Sequence, residues 1–189
     1  GSSWPAEPAP HSRVWSSIYQ VSALALGGMP VVAIAAGLVL VVWGARDADG
    51  PAELALRTAL WSIPGALLAF ALFALFTLVA IRVLSFRLAP GFHPVHSRIA
   101  WQAWCSERIM DAARNWLYPL YASMLTPIWL RLLGARIGKG VEASTVLLIP
   151  SLTQVNDHAF LADDTMIGSY ELGGGWIRVE RVKVGKRSF

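Results

Sequence analysis

Two long uncharged apolar stretches followed by short aliphatic-led blocks predict a membrane α-helical hairpin and then the start of a left-handed parallel β-helix. The stretches fall within residues 14–45 and 58–82, and the blocks begin after residue 134. The composition supports a membrane location, because 55% of the residues are hydrophobic and only 15% are charged. An ordinary globular chain has about 25% charged residues.

The first span follows a linker, residues 1–13, that is rich in proline, alanine and serine. No charged residue occurs in residues 14–45. About 20 apolar residues at roughly 1.5 Å each cross a bilayer core of about 30 Å. Trp15 and Trp43 lie near the two ends, where membrane interfaces favour aromatic rings. We therefore expect a transmembrane helix here.

The second span, residues 58–82, follows a polar connection at residues 46–57. Arg82 ends this span and Arg87 and Arg98 follow it, with no acidic residue before Glu107. Basic residues concentrate on the cytoplasmic side of membrane proteins. This distribution predicts a multi-pass protein of the cytoplasmic (inner) membrane, with the connection outside and the β-helix domain on the cytoplasmic side.

Residues 83–133 form a juxtamembrane segment with an amphipathic helical pattern. Ile109, Met110, Ala113, Trp116, Leu117 and Leu120 share one helical face, and Glu107, Arg108, Asp111, Arg114 and Asn115 share the other. This helix would either lie on the bilayer surface or cap one end of the β-helix. His93 and His96 lack a partner ligand nearby, so no metal site is predicted.

The blocks of residues 134–189 determine the predicted fold of the second half. They are IGKGVE from Ile137, ASTVLL from Ala143, VNDHAF from Val155, LADDTM from Leu161, IGSYEL from Ile167 and VGKRSF from Val184. Three such blocks make one coil, which buries its apolar face only against the next coil. Residues 149–154 carry no repeat, and residues 173–183 form a longer insertion. Since the sequence stops within a block, we expect a piece of a longer protein with an incomplete β-helix.

Three groups of residues are candidates for chemistry. His158 is the only histidine among the blocks, and hexapeptide-repeat acyltransferases commonly use a histidine as general base; a turn or surface position is equally natural. Asp163 and Asp164 would orient that base or bind the ammonium of an acceptor, or else form a solvated corner. Gly174, Gly175 and Trp176 would contact a pantetheine arm, or form a flexible tip.

The net charge of +4 does not point to nucleic acid, because the basic residues flank apolar spans instead of forming a patch with stacking aromatics. Membrane lipids are the expected partners. The single cysteine, Cys105, excludes an internal disulfide and a cysteine metal cluster.

The order of these elements resembles the C-terminal region of the membrane nonribosomal peptide synthetases of the ε-poly-L-lysine synthetase family. The resemblance rests on two spans, an amphipathic lead, LRLLGARIGKGVEAST, VNDHAFLADDTMIG, GGGW and VKVGKRSF, and covers residues 14–189. In that family, adenylation and carrier domains precede six transmembrane helices that alternate with three condensation-like domains related to hexapeptide acyltransferases. The chain would then hold one helix pair and the first part of one such domain.

The resemblance implies a mechanism and its partners. An upstream adenylation domain uses ATP to activate an amino acid, which a carrier domain of the same polypeptide holds as a phosphopantetheine thioester. The amine of an amino acid or growing homopolymer then attacks the thioester in the condensation-like domain and forms a peptide or isopeptide bond. Tandem or oligomeric β-helix copies would complete the assembly. The fragment alone would be inactive.

Two other functions remain open from the sequence. The first is a separate membrane-anchored O- or N-acyltransferase that uses acyl-CoA, without an adenylation domain. The second is a non-catalytic scaffold or export element, in which His158, Asp163 and Asp164 would be dispensable for synthesis.

Overall fold

Two long antiparallel helices begin the fold of this computed structural model, which describes residues 4–5, 12–162 and 165–189. Helix α1 spans Arg13–Ala45 and helix α2 spans Pro51–Leu84. Helix α2 begins before the second predicted span because Pro51 starts its first turn. Within the connection predicted at residues 46–57, Glu53 also accepts hydrogen bonds from the Asp49 N–H and from Arg57, both at 2.9 Å.

Both helices are long and apolar enough to cross a membrane. Their outward side chains are exposed and apolar, among them Val21, Leu24 and Val31 on α1 and Leu60, Ile63 and Leu67 on α2. With 33 and 34 residues they measure about 50 Å, more than the roughly 30 Å of a bilayer core. Each helix is therefore longer than a single bilayer crossing requires.

The end of this hairpin opposite the 46–50 connection is bound to the rest of the chain. On α1, the Tyr19 hydroxyl donates to the Val95 carbonyl at 2.7 Å. The Ser22 hydroxyl accepts a 2.8 Å hydrogen bond from the Trp101 indole. On α2, the Arg82 guanidinium donates to the Leu132 carbonyl at 2.8 Å. The helix pair and the following region are thus one packed unit.

Three further helices follow: α3 at Arg98–Trp116, α4 at Tyr118–Tyr121 and α5 at Thr126–Leu133. Helix α3 buries Ile109, Met110 and Ala113, as its apolar pattern predicts, whereas Trp116 is 54% exposed. The buried face belongs to one hydrophobic core that also includes Ile81 of α2 and aliphatic side chains from the second half. Helix α3 therefore packs between the two long helices and the strand region.

Short parallel strands make up most of the second half. Strands β2 (Arg136–Ile137), β4 (Thr153–Val155) and β8 (Val182–Val184) form one ladder, and β3 (Glu142–Ala143) pairs with β5 (Phe160–Leu161). In register, Ile137 lies opposite Val155, and Ala143 lies opposite Leu161. Both pairs are 18 residues apart, which equals three blocks. We call residues 136–169 and 182–189 the coils.

An antiparallel hairpin interrupts the coils where the sequence predicts an insertion. It consists of β6 (Tyr170–Gly173) and β7 (Trp176–Val179), and β7 also pairs antiparallel with β1 (Gly91–Pro94). Because this hairpin is inserted between two strands of the ladder, Val155 pairs with Val184 and not with the residue 18 positions later. Strand β1 was not predicted, because its two prolines flank a segment that reads as a break.

Residues 149–154, which carry no repeat, are nevertheless part of the core. A short 3₁₀ helix covers Pro150–Leu152, and both Ile149 and Leu152 are buried. The second half is thus a mixed strand region, with parallel ladders and one antiparallel sheet. The left-handed β-helix itself stays a prediction.

Candidate functional site

His158 lies in a turn that repeats along the coils. Gly140, His158 and Arg187 all have left-handed backbone conformations, with φ of 66°, 61° and 55°. They follow three strands of one ladder at equivalent positions, and backbone hydrogen bonds connect neighbouring turns: His158 N–H to Lys139 O at 2.8 Å and Arg187 N–H to Asp157 O at 3.2 Å. We call these three turns the stacked corner.

The side chains of the stacked corner explain two of its glycines. The His158 ring covers Gly140, where a Cβ would lie 2.4 Å from Nδ1. A Cβ on Gly138 would lie 2.3 Å from an Asp157 carboxylate oxygen. That same oxygen accepts a hydrogen bond of 2.8 Å from the Lys139 N–H. The two glycines of IGKGVE are therefore required, because side chains of the neighbouring turn occupy the space that a Cβ would need.

His158 itself is exposed, and no hydrogen bond to its ring exists within the part of the chain that the structure describes. A catalytic histidine usually has a partner that fixes its tautomer and orientation. Asp163 and Asp164, predicted as that partner, lie outside the described residues. The base role of His158 thus stays a prediction.

The predicted pantetheine contacts belong to a different sheet. Gly174 and Gly175 form the tip of the β6–β7 hairpin, with φ of 56° and 78°, as a tight turn between antiparallel strands requires. The Gly175 carbonyl accepts a 2.9 Å hydrogen bond from the Val95 N–H, and Trp176 is half-buried opposite Pro94. The structure therefore places these residues on the antiparallel sheet, and His158 on the parallel ladder.

A pocket of about 540 Å³ opens where α1, α3 and the coils meet. We call it the acidic pocket. Its walls include Leu26 of α1, Trp104, Glu107 and Asp111 of α3, and Met166 and Tyr170 of the second half. Glu107 and Asp111 come from the polar helical face predicted from the sequence. Packing of α1 and the coils against that face turns it into a pocket.

Glu107 carries a buried polar atom in this pocket that has no partner among the described residues. One of its carboxylate oxygens is buried and makes no hydrogen bond with any described residue. Asp111, by contrast, forms an ion pair with Arg114 at 2.7 Å. Burial, with a smaller effect from Asp111, raises the pKa of Glu107, and Arg108 opposes the shift. A carboxylate removed from water without a partner is unfavourable.

A narrow cleft of about 20 Å³ adjoins this pocket and shares Glu107, Met166 and Tyr170 with it. Ser169 lines the cleft, is only 2% exposed, and its hydroxyl has no partner among the described residues. Two residues that each carry a buried, unpartnered polar atom therefore line these neighbouring cavities. Unsatisfied buried polar atoms are uncommon and often mark a ligand or function.

A second pocket of about 770 Å³ lies on the β3 side of the coils, beside α4 and α5. Glu142, Ser144 and Tyr121 line it. Glu142 is exposed, and the buried Tyr121 hydroxyl already accepts a 3.1 Å hydrogen bond from the Trp129 indole. Of the described side chains around it, none is both buried and unsatisfied, so the acidic pocket is the stronger candidate.

Comparison with known proteins gives one relative that spans most of this chain. The chain is 29% identical over 177 residues to the delta-poly-L-ornithine synthetase of Acinetobacter baumannii (strain AB307-0294). The match includes 90% of this chain but only 13% of that protein, so both the helix pair and the coils take part in it. No family model matches the chain, and no solved structure matches it.

Proposed function

We propose that this chain is part of a membrane-bound synthetase that joins amino acids through amide bonds. The observation that carries the proposal is the similarity to a poly-ornithine synthetase, which extends over 90% of the chain and therefore includes helices and coils together. A soluble domain shared by chance would not include the membrane helices. The chain spans only 13% of that relative. The proposed activity is therefore that of a larger protein of which this chain is one part.

In this proposal the coils are the condensation-like domain and form a left-handed β-helix. The 18-residue step of Ile137 to Val155 and of Ala143 to Leu161 supports it, because three six-residue blocks per coil require that step. Helix α3 and the coils lie on the same side as Arg82, Arg87 and Arg98. The positive-inside rule then favours the cytoplasmic face of the inner membrane for them.

The proposed reaction is aminolysis of a thioester. A carrier domain holds an aminoacyl group on phosphopantetheine, after activation by ATP at an adenylation domain. The acceptor amine attacks the acyl carbon, a C–N bond forms, the C–S bond breaks, and the carrier thiol leaves with the proton. His158 is proposed to accept the amine proton and to pass it to the departing sulfur, which leaves as the thiol. Gly174, Gly175 and Trp176 are the proposed contacts of the pantetheine arm.

The experiment is product formation by the full-length protein in membranes supplied with ATP and single amino acids. Wild type is compared with His158→Ala and with His93→Ala, whose ring bonds the Ala89 carbonyl at 3.0 Å in a different segment. Homopolymer from wild type and His93→Ala, but only carrier-bound aminoacyl thioester from His158→Ala, would support the proposal and the base role.

Other outcomes separate the alternatives. Equal polymer from all three proteins would remove His158 from the chemistry while leaving the synthetase. Acyl transfer from acyl-CoA without ATP-dependent amino-acid activation would replace the synthetase with a membrane acyltransferase. Normal synthesis with lost release of polymer across the membrane would indicate the scaffold or export function.

A further inference from the structure

We propose that Glu107 binds the side-chain ammonium of a diamino acid acceptor in the acidic pocket. The inference rests on the proposed function, because it assigns the acceptor of that reaction. It concerns a residue that the sequence patterns place only on the polar face of a helix.

Glu107 forms no ion pair with any described residue, although the nearby charge of Arg108 acts to lower its pKa. Asp111 is already paired with Arg114. The guanidinium carbon of Arg108 lies 4.8 Å from the centre of the Trp104 ring, and no hydrogen bond joins this guanidinium to Glu107 within the described residues. A half-buried carboxylate with one unsatisfied oxygen is complementary to a cation that donates hydrogen bonds. A primary ammonium has three such donors.

The surroundings favour an organic ammonium over a metal ion. Divalent cations such as calcium and magnesium require several oxygen ligands around one point. The described residues contain no group of three or more side chains suited to holding a metal. The pocket instead combines one free carboxylate with the apolar or aromatic side chains of Leu26, Met166 and Tyr170. An alkyl chain that ends in an ammonium matches this combination.

The other end of a diamino acid also has a partner. Arg108 lines the same pocket and supplies a guanidinium for a carboxylate of the ligand. The unpartnered hydroxyl of Ser169 lies along the adjoining cleft. The volume of about 540 Å³ is within the range of small-molecule sites and exceeds that of one amino acid. The pocket is therefore large enough for the end of a growing oligomer.

The level of the pocket relative to the membrane is consistent with this role. Ala23, Leu26 and Gly27 of α1 line it. The remainder of α1, residues 28–43, is 16 residues or about 24 Å long, slightly less than one bilayer crossing. The pocket then opens at the membrane interface, beside the helix pair. An acceptor bound there is held next to the coils and next to the membrane at once.

The test measures ligand binding without any reaction. The full chain in lipid nanodiscs is titrated with radiolabelled L-ornithine and, as a control ligand, L-norvaline, which has the same carbon chain without the second amine. Glu107→Gln preserves the shape of the side chain and removes its charge. Glu142→Gln is the matched control, because it removes the same charge from the exposed wall of the other pocket.

The expected result is that Glu107→Gln weakens ornithine binding about 10- to 100-fold, the range for one lost hydrogen bond to a charged group. Glu142→Gln should bind ornithine as wild type does, and norvaline should bind weakly and equally to all three. Thermal unfolding of each variant shows whether its fold is intact. If Glu107→Gln unfolds, Glu107→Asp provides the second variant and should retain part of the affinity.

Three results would overturn the inference. One is unchanged ornithine affinity in folded Glu107→Gln. Another is a loss confined to Glu142→Gln or to the double variant Asp163→Asn, Asp164→Asn. A third is equal affinity for norvaline and ornithine. The synthesis assay is independent: polymer formation that is insensitive to Glu107→Gln contradicts the inference alone. Charge-dependent binding by a protein that makes no amide contradicts only the proposed function.

Discussion

The crossing of α1 and α2 should be sensitive to a single methyl group. A Cβ at Gly37 would lie 2.5 Å from the Gly65 carbonyl oxygen and 3.2 Å from the Ala69 Cβ. The reciprocal Cβ at Gly65 would lie 2.9 Å from the Gly37 carbonyl oxygen. Both obstacles include backbone atoms, which cannot rotate away. Gly37→Ala should therefore force the two helices apart.

The magnitude follows from this geometry. The helices must separate by at least about 0.5 Å to bring the Cβ to 3.0 Å, the shortest distance tolerated. A gap of 0.5–1 Å forfeits a quarter to a half of each dispersion contact across the crossing. Overpacking of this kind costs about 1–3 kcal/mol. Gly28→Ala is the matched control, because nothing lies within 4 Å of its Cβ and it gains the same helix propensity.

The assay is reversible unfolding of the chain in mixed micelles, followed by circular dichroism as the denaturing detergent fraction rises. We expect Gly37→Ala to be less stable than Gly28→Ala by about 1–3 kcal/mol. The difference between the two variants isolates the steric effect, since propensity cancels. Equal stability of the two variants would refute the close approach of the helices.

Three further predictions concern the second half. His158→Gly should stabilise the chain by about 1 kcal/mol, because φ of 61° is unfavourable for a residue with a Cβ, and an unchanged unfolding midpoint would contradict this. Burial raises the pKa of Glu107, so the wild type should lose stability as the pH rises from about 4.3, the ordinary value, through the raised value. Glu107→Gln should lack that loss, and parallel melting curves from pH 4 to pH 7 would contradict the shift. Tyr121→Phe should cost about 1–3 kcal/mol by leaving the buried Trp129 indole N–H unpaired. In the same thermal melts, Tyr118→Phe, at an exposed ring, is its control and should change little.

The long apolar helices could be predicted from the sequence because hydropathy depends only on residues that are close together in the chain. The absence of charge over residues 14–45 is enough to predict a spanning helix, and α1 at Arg13–Ala45 agrees with it. The start of α2 at Pro51 was missed because hydropathy detects the apolar span and not the helix. The Glu53–Arg57 pair extends the helix into polar sequence that the pattern assigns to a connection.

The coils could also be predicted in part, because their aliphatic residues recur at a fixed local spacing. Block starts such as Ile137, Val155 and Val184 are buried or half-buried and lie in register, because a coil must place one aliphatic at each repeat. The insertion at residues 173–183 could also be predicted, because the six-residue spacing is interrupted there. Its pairing with β1 was not, since strand partners far apart in sequence leave no local pattern. Nor does the spacing explain why Gly138 lies beneath Asp157.

The sequence by itself determined the two long apolar helices, the block repeat and the polar face of α3 that contains Glu107 and Asp111. Only the tertiary structure decided what that face does. A carboxylate on an amphipathic helix is ordinarily solvated, and no local pattern shows otherwise. Its desolvation depends on α1 and the coils, which approach from Leu26 and Met166, far away in the chain on either side. Burial is a property of this packing, and so is the pocket that we propose to bind the acceptor.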